Sequence, residues 1–198
     1  MRLYLVELTN SNRSEIDTEI ERSNIQLIKS ANVTPIQIDD RKYIPVDIDT
    51  SPMDNSKSHK EGVSRTYKQF DGYHPIFCYI GLEGYMVNTE LRKGKQHCQK
   101  GTPEFLKHTI NMIEDINLQE RLLFRLDSGN DSKDIIDQLE KSGHNYIIKR
   151  NLRKELPQYW NDTAKAEGIK IYQDQYRAVY TGVHTGRHPA NDESFPEV

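Results

Sequence analysis

Cysteine is nearly absent from this chain. Cys78 and Cys98 are the only two among 198 residues, which excludes a small scaffold stapled by disulfides. Neither belongs to a metal-ligand spacing such as a pair separated by two residues, so a structural zinc site is excluded too, and both thiols are expected to be reduced. Long apolar runs are also missing. No stretch approaches the roughly 20 residues that span a bilayer, and the amino terminus lacks the charged and apolar regions of a signal peptide. A cytoplasmic protein without a membrane partner is expected. An excess of one charge is lacking as well: the formal net charge is −3, too small for the summed field alone to mark a nucleic-acid binder.

The distribution of charge says more than its sum. Acidic residues crowd the ends (Glu15, Asp17, Glu19 and Glu21; Asp192, Glu193 and Glu197), whereas the middle carries basic clusters. These are Lys57, His59, Lys60, Arg65 and Lys68; Arg92, Lys93, Lys95 and Lys100; and Lys149, Arg150, Arg153 and Lys154. One such cluster is ordinary solvated surface. Three beside candidate strand ends point to a phosphate-facing groove. The length allows one sizeable domain with a real core.

Ile16, Ile20, Ile25 and Ile28 predict an amphipathic helix from Ser11 to about Ala31, with Ser14 as its cap. A strand runs toward Asp49, and the polar stretch from Thr50 to Gly72 reads as a loop or loose hairpin. Pro75 to Ile80 and Tyr85 to Leu91 form a hairpin about Gly81-Leu82-Glu83-Gly84. Thr102 caps a helix with Pro103 at its first position. Then follow a strand from Leu122 to Asp127, a short helix from Ser132 to Lys141 closed by Gly143, and a strand from Tyr146 to Lys149. The order predicts a mixed sheet covered by helices, antiparallel strands first and helix-linked strands later. Beyond Leu156 a short helical piece precedes two β-like runs, Ile169 to Tyr172 and Tyr176 to Val183, and the single tryptophan, Trp160, is expected to cover the core.

Two of the predicted strands end in aspartate, Asp49 and Asp127. If those strands are parallel neighbours, both carboxylates meet at one edge of the sheet. Oxygen ligands of that kind suit a magnesium ion that also takes water and phosphate oxygens. A strand-end aspartate can equally do no more than cap the following turn. Asp47, two residues earlier and on the same side of its strand, competes with Asp49. Asp131 reads as a helix cap. His97-Cys98 reads as structural, because adjacent residues point apart and no partner ligands follow. Tyr67 and Tyr73 are candidates to pack against sugar or base, with core packing the alternative for Tyr73.

Several ordered motifs resemble the catalytic core of DDE-type transposases of bacterial insertion sequences. They are Asp47-Ile-Asp49-Thr-Ser-Pro-Met-Asp-Asn55-Ser56, Lys60-Glu61-Gly62-Val-Ser-Arg65-Thr-Tyr67-Lys68, Phe70-Asp-Gly72-Tyr73-His-Pro75, Glu90-Leu-Arg92-Lys-Gly94, Gln96-His97-Cys98, Arg125-Leu-Asp127-Ser128-Gly129-Asn130-Asp131 and Ile147-Ile-Lys149-Arg150-Asn151-Leu152-Arg153. The resemblance covers about Tyr43 to Lys154. It implies an α/β, ribonuclease H-like fold, a mixed five-stranded sheet flanked by helices, with part of a β-rich insertion at the carboxyl end. It divides the chain into a helical segment (1–40), the catalytic core (41–167), and the start of the insertion with a tail (168–198). It implies Asp49 and Asp127 as catalytic carboxylates and ligands of Mg2+ or Mn2+, and Lys57, Lys60, Arg65, Lys68, Lys149, Arg150 and Arg153 on DNA. It implies partners as well: transposon ends, target DNA, and either self-association or full-length transposase.

The chain departs from that family in one respect. Members carry a third acidic residue, a glutamate on a later helix, and neither Glu193 nor Glu197 sits in such a pattern. An abbreviated transposase is therefore expected. It is either a catalytic core completed in trans or an inactive remnant that binds DNA or full-length transposase.

Overall fold

The computed structural model describes residues 13–182. The chain forms two compact units, Met1–Arg150 and Asn151–Val198.

The first unit is built on a six-stranded sheet. Its strands are β1 (Ile36–Ile38), β2 (Arg41–Thr50), β6 (Ile76–Ile80), β7 (Tyr85–Glu90), β8 (Arg121–Leu126) and β9 (Asn145–Ile148), in the order β7-β6-β2-β8-β9 with β1 paired to β2. The contacts β2–β6 and β6–β7 are antiparallel, whereas β2–β8 and β8–β9 are parallel. This mixed sheet is one strand larger than the five expected, the addition being β1. Because β8 occupies one edge of β2, β1 and β6 share the other: β1 pairs as far as Tyr43 and β6 begins at Val46. Pro45, which has no N–H for a ladder, falls in the gap between them.

Alternation decides the core. Ile44, Val46 and Ile48 of β2, Ile76, Cys78 and Ile80 of β6, and Leu122, Phe124 and Leu126 of β8 form one buried cluster. It also takes Phe105, Leu106, Ile110 and Ile113 of helix α2 (Thr102–Ile116) and Ile135 and Leu139 of α3 (Lys133–Ser142). Burying each such side chain contributes about 1.5–3 kcal/mol before chain entropy is counted. Helix α1 (Arg13–Ser30) gives this cluster only Ile28, with Ile25 at its margin; Ile16 and Ile20 stay exposed.

Three details extend or differ from expectation. The polar stretch after Asp49 is a small antiparallel sheet, β3 (Met53–Asp54), β5 (Asp71–Tyr73) and β4 (Ser64–Arg65), with β5 in the middle. Backbone pairing there needs little apolar surface because Gly72 lets the strands approach closely: a Cβ at that position would lie 1.9 Å from the Met53 carbonyl oxygen. The N-cap of α2 is Gly101, left-handed at φ 78°, rather than Thr102. The Thr102 hydroxyl is occupied instead, donating to the Cys98 carbonyl (2.5 Å) and accepting from Arg92 (2.9 Å). The N-cap of α3 is Ser132, one residue after Asp131.

The second unit contains helix α4 (Pro157–Glu167) and the antiparallel hairpin β10 (Ile169–Gln173) and β11 (Ala178–Thr181). Trp160 is half-buried within it, donates from Nε1 to Glu155 (2.7 Å) and meets Tyr159 edge-on. Both cysteines are free thiols. Among the described residues no helix is long and apolar enough to cross a membrane.

Candidate active site

Parallel pairing of β2 with β8 creates the site. Their register runs Asp47↔Arg125 and Ile48↔Leu126. The next pair in that register is Asp49 and Asp127, so two carboxylates sit side by side at the carboxyl ends of adjacent strands. Both are exposed. Asp49 accepts the Thr50 N–H (2.7 Å). Asp127 accepts the Gly129 N–H (3.0 Å) and the Asn130 amide (2.9 Å), which lock the Ser128–Asn130 turn beneath it. Though the Asp49 side chain reaches solvent, its pKa is raised above the ordinary aspartate value, first by partial desolvation. The Thr50 N–H opposes that rise, the neighbouring Asp127 charge adds to it, and His74 and Lys68 pull the other way. Two carboxylates that repel at such an edge are a place where a divalent cation gains most.

Asp47 is excluded from this pair by its own partner. Arg125 holds it through two hydrogen bonds of 2.6 Å each. Glu90 is likewise taken, by Arg92 at 3.0 Å.

The basic residues separate by position. Lys57 and Lys60 are exposed on the β3–β4 connection, and Lys68 is exposed at the Thr66–Gln69 turn. Arg65 is already paired with Asp71 (3.0 Å) and with the Gln69 carbonyl (2.6 Å). Lys149 continues the β9 ladder, its N–H donating to the Leu126 carbonyl (3.1 Å), and therefore stands beside Asp127. Arg150 ends the first unit and Arg153 belongs to the second. Tyr73 is half-buried, with its hydroxyl donating to the Glu61 carbonyl (2.8 Å), whereas Tyr67 is open to solvent.

Sequence reasoning missed the brace behind the site. Arg92, read as part of a surface cluster, has a side chain only 1% exposed. It binds the Cys98 carbonyl (3.2 Å) and the Thr102 hydroxyl (2.9 Å), and its guanidinium lies 5.8 Å from the Phe105 ring centroid. The loop it anchors touches His74 and the Asp127 turn. The Gln96 carbonyl bonds His74 Nδ1 (2.9 Å), and the Cys98 thiol donates to the Gly129 carbonyl (3.1 Å) in the Asp127 turn. Burial and the Asp127 charge raise the Cys98 pKa, which keeps Cys98 a neutral donor. No signal in the sequence marked this brace, because the spacing of Arg92 does not reveal its burial.

The family model for transposase DDE domain group 1 matches residues 11–190. The chain belongs to this family. Solved structures similar to this DDE domain include a piggyBac transposase synaptic complex with hairpin DNA, at 13% identity and a TM-score of 0.40 over 59% of this chain and 25% of that one. A Mos1 mariner paired-end complex with Mn is 12% identical, with a TM-score of 0.37 over 72% of this chain and 52% of that one. A Mos1 paired-end complex with the left transposon end is also 12% identical, with a TM-score of 0.35 over 68% and 42%. The DDE domain thus spans between a quarter and about half of those chains. No curated protein matches it.

The donor set of this DDE domain fits a hard divalent cation: Asp49 and Asp127 offer oxygen only, at one open edge. Among the described residues no group of three or more His, Cys, Asp or Glu side chains comes together to hold a metal.

Proposed function

We propose that this chain is a catalytic part of a transposase, cleaving DNA strands and joining them to new DNA by phosphoryl transfer. The observation that carries the reading is the β2–β8 register, which sets Asp49 beside Asp127. In this reading the two carboxylates hold Mg2+ or Mn2+. When bound, the cation supplies positive charge to the phosphate oxygens and lowers the pKa of water. The chain's own groups do the rest. The Thr50 and Gly129 N–H groups and the Asn130 amide keep the carboxylates aimed outward. Lys57, Lys60, Lys68 and Lys149 offer charge to the phosphate backbone, with Arg150 and Arg153 as further contacts and Arg65 acting through its pair with Asp71. The DNA comprises transposon ends and target, and the setting is cytoplasmic. A further acidic ligand comes from residues outside those described, from a second copy, or from a full-length transposase.

A second reading has its own support, the absence of a three-ligand cluster among the described residues. In it the chain binds DNA or full-length transposase without cutting.

The test is Mg2+- or Mn2+-dependent nicking of supercoiled DNA by the chain and its Asp49→Ala and Asp127→Ala variants. Nicking abolished in both variants supports the catalytic reading. DNA binding without nicking, unchanged in either variant, supports the second.

A further inference from the structure

We propose that the Thr66–Gln69 turn is a nucleobase platform, on which Tyr67 stacks an unpaired base of the DNA strand at the Asp49/Asp127 edge while Lys68 meets its phosphate. The inference rests on the transposase reading and deepens it by naming the form of DNA the site takes.

Single exposed aromatics are common on protein surfaces, so the 63% exposure of Tyr67 is not enough by itself. What surrounds it is the argument. The turn is rigid: Thr66, itself buried, bonds the Phe70 carbonyl through both its N–H (2.8 Å) and its hydroxyl (2.9 Å). Arg65 clamps the Gln69 carbonyl at 2.6 Å, and Gln69 adopts a left-handed φ of 67°. Little side-chain or loop ordering remains to be lost when a ligand arrives.

The Tyr67 ring is also supported. The His74 ring lies 5.3 Å from it, tilted by 54°. His74 is 4% exposed and is oriented by the bond between its Nδ1 and the Gln96 carbonyl, which assigns the proton to Nδ1. Its Nε2 is buried and has no hydrogen-bond partner among the described residues. The Lys68 ammonium lies 5.9 Å from the Tyr67 ring centroid, so a cation flanks the aromatic face. The Pro75 carbonyl, one residue after His74, accepts the Ser51 N–H (3.0 Å), two residues after Asp49, and this sets the turn at the candidate site.

An aromatic beside a cation is the combination that binds single strands, the ring taking a base face and the cation the backbone. Bases inside a duplex have both faces covered by their neighbours, so an unpaired base reaches Tyr67 at the least cost.

The test uses the 198-residue chain and its Tyr67→Ala and Tyr67→Phe variants, with a fluorescent mixed-sequence single strand, the same sequence as a duplex, and a single strand containing 2-aminopurine. Tyr67→Ala should weaken single-strand binding about five- to hundred-fold, the range for one lost stack, and change duplex binding less than about two-fold. Tyr67→Phe should keep wild-type affinity. Quenching of 2-aminopurine should be present with the wild type and Tyr67→Phe and lost with Tyr67→Ala. Unchanged single-strand affinity and quenching in Tyr67→Ala, or an equal loss on duplex, overturns the platform and leaves the transposase reading intact. Absence of binding to either DNA by the wild type overturns both.

Discussion

Arg125 donates from Nε and Nη2 to the two oxygens of Asp47, each bond 2.6 Å long, across the parallel pair of β2 and β8. The pair sits one alternation before Asp49 and Asp127 on the same side of these strands, and it occupies both oxygens of Asp47.

Asp47→Asn should therefore leave nicking within about three-fold of wild type, whereas Asp49→Asn abolishes it. Both Asp47 and Arg125 are more than two-fifths exposed, so solvent screening limits the pair to about 0.5–1 kcal/mol of stability. A urea-denaturation cycle over Asp47→Asn, Arg125→Met and the double variant, at low and high salt, measures that coupling. Coupling well above this range would mean the pair is more desolvated than its exposure indicates.

His144 gives the first unit a pH dependence. Burial holds its pKa below the usual histidine value, with Glu114 opposing that shift, so the folded state binds the proton less readily than the unfolded chain. The stability it contributes is fully present above the ordinary value of 6.5 and is lost as pH falls through the folded-state value. Denaturation midpoints of the wild type should fall between pH 8 and pH 5 by more than those of His144→Phe. Parallel curves for the two proteins would contradict this.

Close backbone contact at two glycines predicts intolerance to one added methyl. A Cβ at Gly72 would meet the Met53 carbonyl oxygen at 1.9 Å, and one at Gly94 would meet those of Ser64 and Gly72 at 2.1 and 2.4 Å. Gly72→Ala and Gly94→Ala should each cost about 1–3 kcal/mol or more, because backbone rather than a flexible side chain must move. Thermal melting is the measurement. Gly84→Ala offers a contrast: no atom lies within 4 Å, so its φ of 72° is the source of strain.

Arg92→Gln removes the donors to the Cys98 carbonyl and the Thr102 hydroxyl. The loss should be about 2–3 kcal/mol, below the cost of breaking a fully buried pair, because Glu90 is 45% exposed and water can take it up. With the loop released, the bond from Cys98 to the Gly129 carbonyl weakens, and metal-dependent nicking should fall further than DNA binding. An equal fall in both would make Arg92 a purely structural residue.

Much of this architecture was readable from the chain. The period-two alternation of Ile44, Val46 and Ile48 named β2, and Gly81 and Gly84, both at positive φ, named the hairpin between β6 and β7. Asp49 and Asp127 stood out because each ends an apolar run. The small sheet of β3, β5 and β4 was not readable, since its strands are two or three residues long and polar, too short for any period to show. Arg92 was misread for a related reason: a charged residue carries no local mark of the carbonyl groups that surround it after folding.

The sequence by itself determined the local elements, the apolar face of each strand and helix, and the two strand-end carboxylates, because side-chain periodicity and turn chemistry act over a few residues. Only the tertiary structure decided which residues meet. The parallel alignment of β2 with β8 brings Asp49 to Asp127 and lets Arg125 claim Asp47 from 78 positions away. The Arg92 loop then holds the Asp127 turn through Cys98. Such pairings follow from the joint burial of distant apolar faces in one core, a free energy that belongs to the whole sheet and to none of its segments alone.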